Sequence, residues 1–181
     1  MPHATAAPYG RMVVRRGSRD DHAPRVVHSG PQPRDGTVCL GCEAVFLRKT
    51  WRRRALPLRQ WFYAPRALCP ACRQVRDGQS FGEIALRGRF VGDHRNAILR
   101  RIRHVAARAA YTQPERRVVS IEDRDDGLHV YTTSQKLAHR LTTELAKAFG
   151  GHTRFVWSDR RGRLFAVWEA DERGGPPAPL Q

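Results

Sequence analysis

Cys39-Leu40-Gly41-Cys42 and Cys69-Pro70-Ala71-Cys72 hold all four cysteines of this 181-residue chain, with 26 residues between the pairs. Two C-x-x-C knuckles at that separation predict a tetrahedral site for one structural zinc ion. Each knuckle is a tight turn whose amides point at the sulfurs, and four thiolates at about 2.3 Å close the shell against water. Gly41 relieves the first turn sterically, and Pro70 presets φ in the second. A shell of four sulfurs leaves no position for substrate, so the expected role is structural rather than catalytic. Disulfides would need an oxidising compartment, and Met1 to Gly10 contains no apolar core of signal-peptide length. A thioredoxin-type pair would open a helix after a buried strand, a context neither pair has in the sequence.

The 26-residue insert points to a partner. From Glu43 to Leu68 there are seven cations, Arg48, Lys49, Arg52, Arg53, Arg54, Arg59 and Arg66, against the single anion Glu43. Phe46, Trp51, Trp61, Phe62 and Tyr63 are interleaved with them. Cations on phosphates supply affinity for a polyanion, and aromatic faces stack on exposed bases. A unit this small has few other apolar groups to bury, so Phe46 and one tryptophan are expected in its own core. The packed cluster Arg52-Arg53-Arg54 repels itself unless a polyanion joins it. The candidate nucleic-acid contacts are therefore Arg48, Lys49, Trp51, Arg52, Arg53, Arg54, Arg59, Trp61, Arg66 and Arg73. A solvated cationic face is the alternative.

The charge of the whole chain supports this direction. The formal net charge is +16, and it is unevenly spread: residues 39 to 82 carry nine Lys/Arg against two Asp/Glu, residues 83 to 181 carry 18 against 12. Polyanions are the partner class this implies, nucleic acid before membrane. No run approaches the roughly 20 apolar residues of a membrane span, and a cytoplasmic location with reduced thiols is expected. Phosphate-loop, dinucleotide-binding, nucleophile-elbow and HExxH motifs are missing, and the eight histidines are scattered, so an enzyme is not expected.

Four segments follow from composition and periodicity. Residues 1–36, rich in Pro, Gly, Arg and His, read as a disordered basic arm. Residues 37–80 form the zinc ribbon, residues 81–170 a sandwich-type α/β domain, and residues 171–181, with Gly-Gly-Pro-Pro, a disordered tail. Arg73 to Gly82 is the expected joint between the two folded units.

In the second unit Glu83 to Arg87 alternates as a strand. Asp93 is placed to cap a helix over His94 to about Ala110, whose Ile98, Ile102, Val105 and Ala109 form one stripe. Val118 to Glu122 and Leu128 to Thr132 predict a hairpin turning through Asp126-Gly127. Ser134 or Thr133 caps a second helix bearing Leu137, Leu141, Leu145, Ala148 and Phe149, which Gly150-Gly151 end. Arg154 to Trp157 and Leu164 to Trp168 predict a final hairpin. The fold class is thus α+β, a four-cysteine ribbon followed by a β-α-β-β-α-β-β domain in ferredoxin-like order, with an extra strand extending the sheet. No run of basic, glycine and alternating aromatic residues marks an RNA-reading sheet, and Tyr131, Phe155, Trp157, Phe165 and Trp168 are expected in the core.

Two elements taken together carry a resemblance. Val38-Cys39-Leu40-Gly41-Cys42 before a basic insert, and Cys69-Pro70-Ala71-Cys72-Arg73 leading to Gly88-Arg89-Phe90 and a helix, resemble a bacterial family of uncharacterised zinc-ribbon proteins. That family is in turn similar to the N-terminal zinc-ribbon region of the Nmd-three-type large ribosomal subunit export adaptor. The resemblance spans about residues 37 to 169 and implies zinc on Cys39, Cys42, Cys69 and Cys72, with ribosomal or other structured RNA as partner. The adaptor's further C-x-x-C pairs have no counterpart here, and its transport role is not carried over.

The function expected from residues and resemblance together is a non-enzymatic zinc-ribbon RNA-binding protein, associated with ribosomes or their assembly. A DNA-binding ribbon and a zinc-stabilised protein adaptor are the alternatives, and the α/β domain is the expected surface for a protein partner.

Overall fold

Short strands around the cysteines and longer ones after residue 82 build two separate sheets in the computed structural model, which describes residues 32–158 and 162–171. Residues 1–31 of the expected arm and 172–181 of the expected tail lie outside the described residues.

The first sheet contains β1 (Val38–Cys39), β2 (Val45–Leu47), β3 (Thr50–Arg52) and β4 (Arg66–Ala67), in the order β3-β2-β1-β4. Helix α1 (Leu58–Tyr63) lies in the insert between β3 and β4, and α2 (Pro70–Arg76) follows β4. In the β2–β3 register Phe46 faces Trp51, and the rings meet edge to face at 5.3 Å. Those rings, with Cys39, Ala44, Cys69 and Ala71, are the core of the unit. It begins earlier than residue 37. The Asp35 carboxylate accepts the Arg48 N–H at 3.1 Å, the Gly36 N–H donates to the Phe46 carbonyl at 2.8 Å, and the Thr37 hydroxyl donates to the Arg34 carbonyl. Arg34 to Gly36 therefore belong to the ribbon, not to the arm.

The second unit runs β5 (Gly82–Arg87), α3 (Arg89–Asp93), α4 (Arg95–Thr112), β6 (Val118–Arg124), β7 (Gly127–Thr132), α5 (Gln135–Phe149), β8 (His152–Ser158) and β9 (Arg163–Glu169). The expected β-α-β-β-α-β-β succession is present along the chain, with α3 added. The sheet itself departs from the ferredoxin-like arrangement. Its order is β6-β7-β5-β9-β8, with β9 inserted beside β5 and parallel to it, and β8 pushed to the edge. The extra strand thus sits inside the sheet instead of extending it. Burial explains the choice: Leu164, Ala166 and Trp168 of β9 are fully buried, whereas β8 opens with the exposed residues His152, Thr153 and Arg154. A strand beside the centre of a sheet that helices cover must be the more apolar one.

Helices α4 and α5 cover one face. The predicted stripe Ile98, Ile102, Val105, Ala109 and its counterpart Leu137, Leu141, Leu145 meet Ile84, Leu86, Leu128, Val130, Leu164 and Trp168 in one core. Ser134 caps α5 by accepting the Leu137 N–H at 3.2 Å, and Gly150 ends that helix at φ +76°. Asp93 is not the cap of α4. It closes α3, and His94, stacked on Phe90 at 3.9 Å, takes the position before α4 without a side-chain capping bond. Trp168 is in the core as expected, but Tyr131, Phe155 and Phe165 are half-buried and Trp157 is 46% exposed. Asp171, placed in the expected tail, accepts the Gly151 N–H at 3.2 Å. No helix among the described residues is long and apolar enough to cross a membrane.

Candidate metal centre and basic surface

Each knuckle is shaped by backbone groups aimed at sulfur. Cys39 Sγ accepts the N–H of Gly41 at 3.4 Å and that of Cys69 at 3.2 Å, so the first cysteine ties both knuckles together. Contrary to the sequence reading, the second pair does open a helix: Cys69 caps α2, its sulfur accepting the Cys72 N–H at 3.4 Å, with Pro70 at the first helical position where its missing N–H costs nothing, although the preceding β4 is not a buried strand. The left-handed residue of the first turn is Glu43, at φ +61°, not Gly41. Gly41 is needed for a different reason: a Cβ there would lie 2.9 Å from the Cys72 sulfur.

The four sulfurs all lie within 4.8 Å of one another, with Cys42 and Cys69 at 3.7 Å. Four bonds of about 2.3 Å to a tetrahedral ion set sulfurs about 3.8 Å apart, so the donor set is close to the spacing that one metal ion requires. Cys39 and Cys69 are buried, Cys42 and Cys72 half-buried. Without a cation the sulfurs compete for protons. The hydrogen bond from Cys69 lowers the Cys42 thiol to about 4, while the same bond and burial drive Cys69 well above the ordinary thiol range. Burial pushes Cys72 up to about 11. A divalent ion bound by thiolates would replace those protons. A cation from the other unit also acts on the site: α2 packs on β6, and the Arg117 guanidinium adds slightly to the lowering of Cys42 and partly opposes the rise of Cys72. Sequence reasoning missed Arg117, because its approach to the cysteines is purely tertiary.

The expected nucleic-acid contacts separate into three groups. Arg52, Arg53, Arg54 and Arg59 are exposed and have no ion-pair partner among the described residues. Arg48 and Lys49 are also exposed, at the tip of the β2–β3 hairpin, with φ of +49° and +62°. Such a two-residue turn, left-handed at both positions, usually takes Asn-Gly, so two cations there stand out from the hairpin at some backbone cost. Arg66 and Arg73 are exposed but engaged with the ribbon. Arg66 donates to the Trp61 carbonyl at 3.1 Å and lies 4.5 Å from the centre of its ring, while Arg73 reaches the Leu68 carbonyl at 3.5 Å. Trp61 is half-buried beneath Arg66. Trp51, one of the candidate contacts, is 5% exposed and packs with Phe46 in the core of the ribbon, so burial closes its ring to a stacked base.

The face of the larger sheet opposite the helices offers no comparable surface. His129 meets Glu83 at 3.1 Å and Asp126 at 2.8 Å on its two ring nitrogens, and Arg87 donates to Asp126 at 2.7 Å. Tyr131 donates to Glu83 at 3.3 Å and has the Arg124 guanidinium over its ring. These polar groups satisfy one another, and the carboxylates among them would repel phosphate.

No family model matches this chain, and no curated protein matches it.

Proposed function

We propose that this chain is a non-enzymatic zinc-ribbon protein of the cytoplasm that binds RNA through the insert between its knuckles. The observation that carries the reading is the exposed run Arg52-Arg53-Arg54, unpaired among the described residues. Three adjacent guanidinium groups without carboxylate partners among the described residues are held together at lowest cost by a polyanion. Zinc is the ion best suited to a closed shell of four thiolates, which fixes the strands carrying the insert and supplies no open position for chemistry. Ribosomal RNA is the structured RNA with which the earlier resemblance associates such a ribbon. The α/β unit then supports the ribbon through α2 and β6 and presents the remaining surface to a protein partner.

Competition at fixed salt tests the reading. Labelled RNA bound to the zinc-loaded chain is challenged with unlabelled RNA and with DNA of the same sequence. Displacement by RNA at lower concentration than by DNA is the expected result. Preference for DNA assigns the ribbon to transcription-associated binding instead, and indifference of the chain to both polyanions removes nucleic acid from its function.

A further inference from the structure

Helix α1, within the ribbon insert, contributes no residue to the core of the unit. None of its residues is buried, and Leu58, Phe62 and Tyr63 are 73%, 71% and 83% exposed. Leu58 and Phe62 stand four residues apart and share a helix face. Tyr63 follows immediately, just before the chain becomes extended at Ala64. The neighbouring aromatic Trp61 is half-buried and covered by Arg66. That contact anchors α1 to the ribbon and leaves Phe62 and Tyr63 uncovered.

The stretch of chain that carries these rings has one sign of charge. From residue 44 to residue 76 the chain carries Arg48, Lys49, Arg52, Arg53, Arg54, Arg59, Arg66, Arg73 and Arg76 and no acidic residue. Exposed rings on a stretch of chain whose only charges are cationic match a ligand that offers flat apolar faces and anionic links together, which is the chemistry of unpaired nucleotides.

We infer that α1 is a stacking platform for single-stranded nucleic acid, with Phe62 and Tyr63 against successive bases and Arg52, Arg53, Arg54 and Arg59 along the phosphates. The inference rests on the RNA-binding reading and narrows its ligand to unpaired bases. A duplex is excluded on physical grounds: its bases are stacked on each other, and the A-form major groove is too narrow and deep for side chains to read. A membrane surface is the weaker match, because interfacial binding grows with buried apolar area and α1 offers three apolar side chains on six residues. A protein partner is weaker still, since the cores of such interfaces are depleted of charge.

The experiment uses the full zinc-loaded chain and two fluorescent probes at fixed salt, a single-stranded oligouridylate and an RNA duplex of the same length. Phe62→Ala with Tyr63→Ala is compared with wild type and with the ring-preserving pair Phe62→Tyr and Tyr63→Phe. The alanine pair is expected to weaken oligouridylate binding by about tenfold or more, with the salt slope, the duplex affinity and the thermal melt unchanged. The ring-preserving pair is expected to bind as wild type does. Wild-type affinity in the alanine pair overturns the platform but leaves the RNA reading standing, provided that binding still falls when Arg52, Arg53 and Arg54 are replaced. Equal losses on single strand and duplex overturn the preference for unpaired bases. Loss of binding to phosphatidylserine vesicles in the alanine pair, with oligouridylate affinity intact, assigns α1 to a membrane instead. A wild-type chain that binds neither probe overturns both readings.

Discussion

The Cβ position of Gly41 lies 2.9 Å from the Cys72 sulfur and 3.2 Å from the Cys72 Cβ, so the two knuckles touch through a residue without a side chain. The contact is between a backbone turn and a sulfur of the candidate metal centre, and neither is a flexible end that could swing aside. Gly41→Ala is therefore expected to spread the knuckles, at a cost of about 1–3 kcal/mol in ribbon stability, as when a methyl group is forced into a packed core. Thermal melts of the zinc-loaded variant, with zinc retention measured against a competing chelator, check this. An unchanged melt with unchanged retention would show that the knuckles separate freely.

Metal removal is expected to expose Trp51. The ring is 5% exposed and packs in the cluster that includes Cys39 and Cys69, so a ribbon without its ion loses the ligands that close that core. Elemental analysis of the purified chain should find about one zinc per chain. Adding chelator should shift tryptophan emission to the red, and Trp51→Phe should abolish most of the shift. Bound thiolates must give up protons, so zinc should also leave as the pH falls. A zinc content near zero in reduced, chelator-free protein would sink the assignment.

Replacing Arg52, Arg53 and Arg54 together by alanine should weaken RNA binding with little change in melting temperature, because exposed arginines without ion pairs hold little of the fold. If each contacts a phosphate of single-stranded RNA, the slope of log K against log salt flattens by about 2, at roughly 0.7 per contact. An unchanged slope with an unchanged melt would mark the cluster as a solvated face.

Tyr131 gives the larger unit a signature at high pH. Burial, and then the Glu83 carboxylate, push its phenol up to about 12, so the folded state favours the neutral form. A raised value of this kind contributes stability that is complete below the ordinary phenol range near 10 and is lost as the pH rises from about 10 to about 12. Spectrophotometric titration should show one tyrosine ionising late, and Tyr131→Phe should remove that component. Titration of all the tyrosines together near pH 10 would count against the burial of this ring.

The clustering of the four cysteines was legible in the chain because a C-x-x-C knuckle is a local device: Cys39 with Cys42 and Cys69 with Cys72 are presented by turns of a few residues, whatever surrounds them. The same holds for the stripes Ile98 to Ala109 and Leu137 to Leu145, whose helical period alone sends them to one face. Other features depend on which surfaces meet. Trp51 and Trp61 sit in similar sequence, yet the register that sets Phe46 opposite Trp51 buries the first, while Arg66 covers the second. Either final strand could have paired with β5 on its alternation alone. The core chose β9, because Leu164, Ala166 and Trp168 could be buried beneath α5 and the polar start of β8 could not. Cys42 and Cys72 come under the influence of Arg117 only because α2 packs on β6, a contact between residues too far apart in the chain for any local pattern to specify.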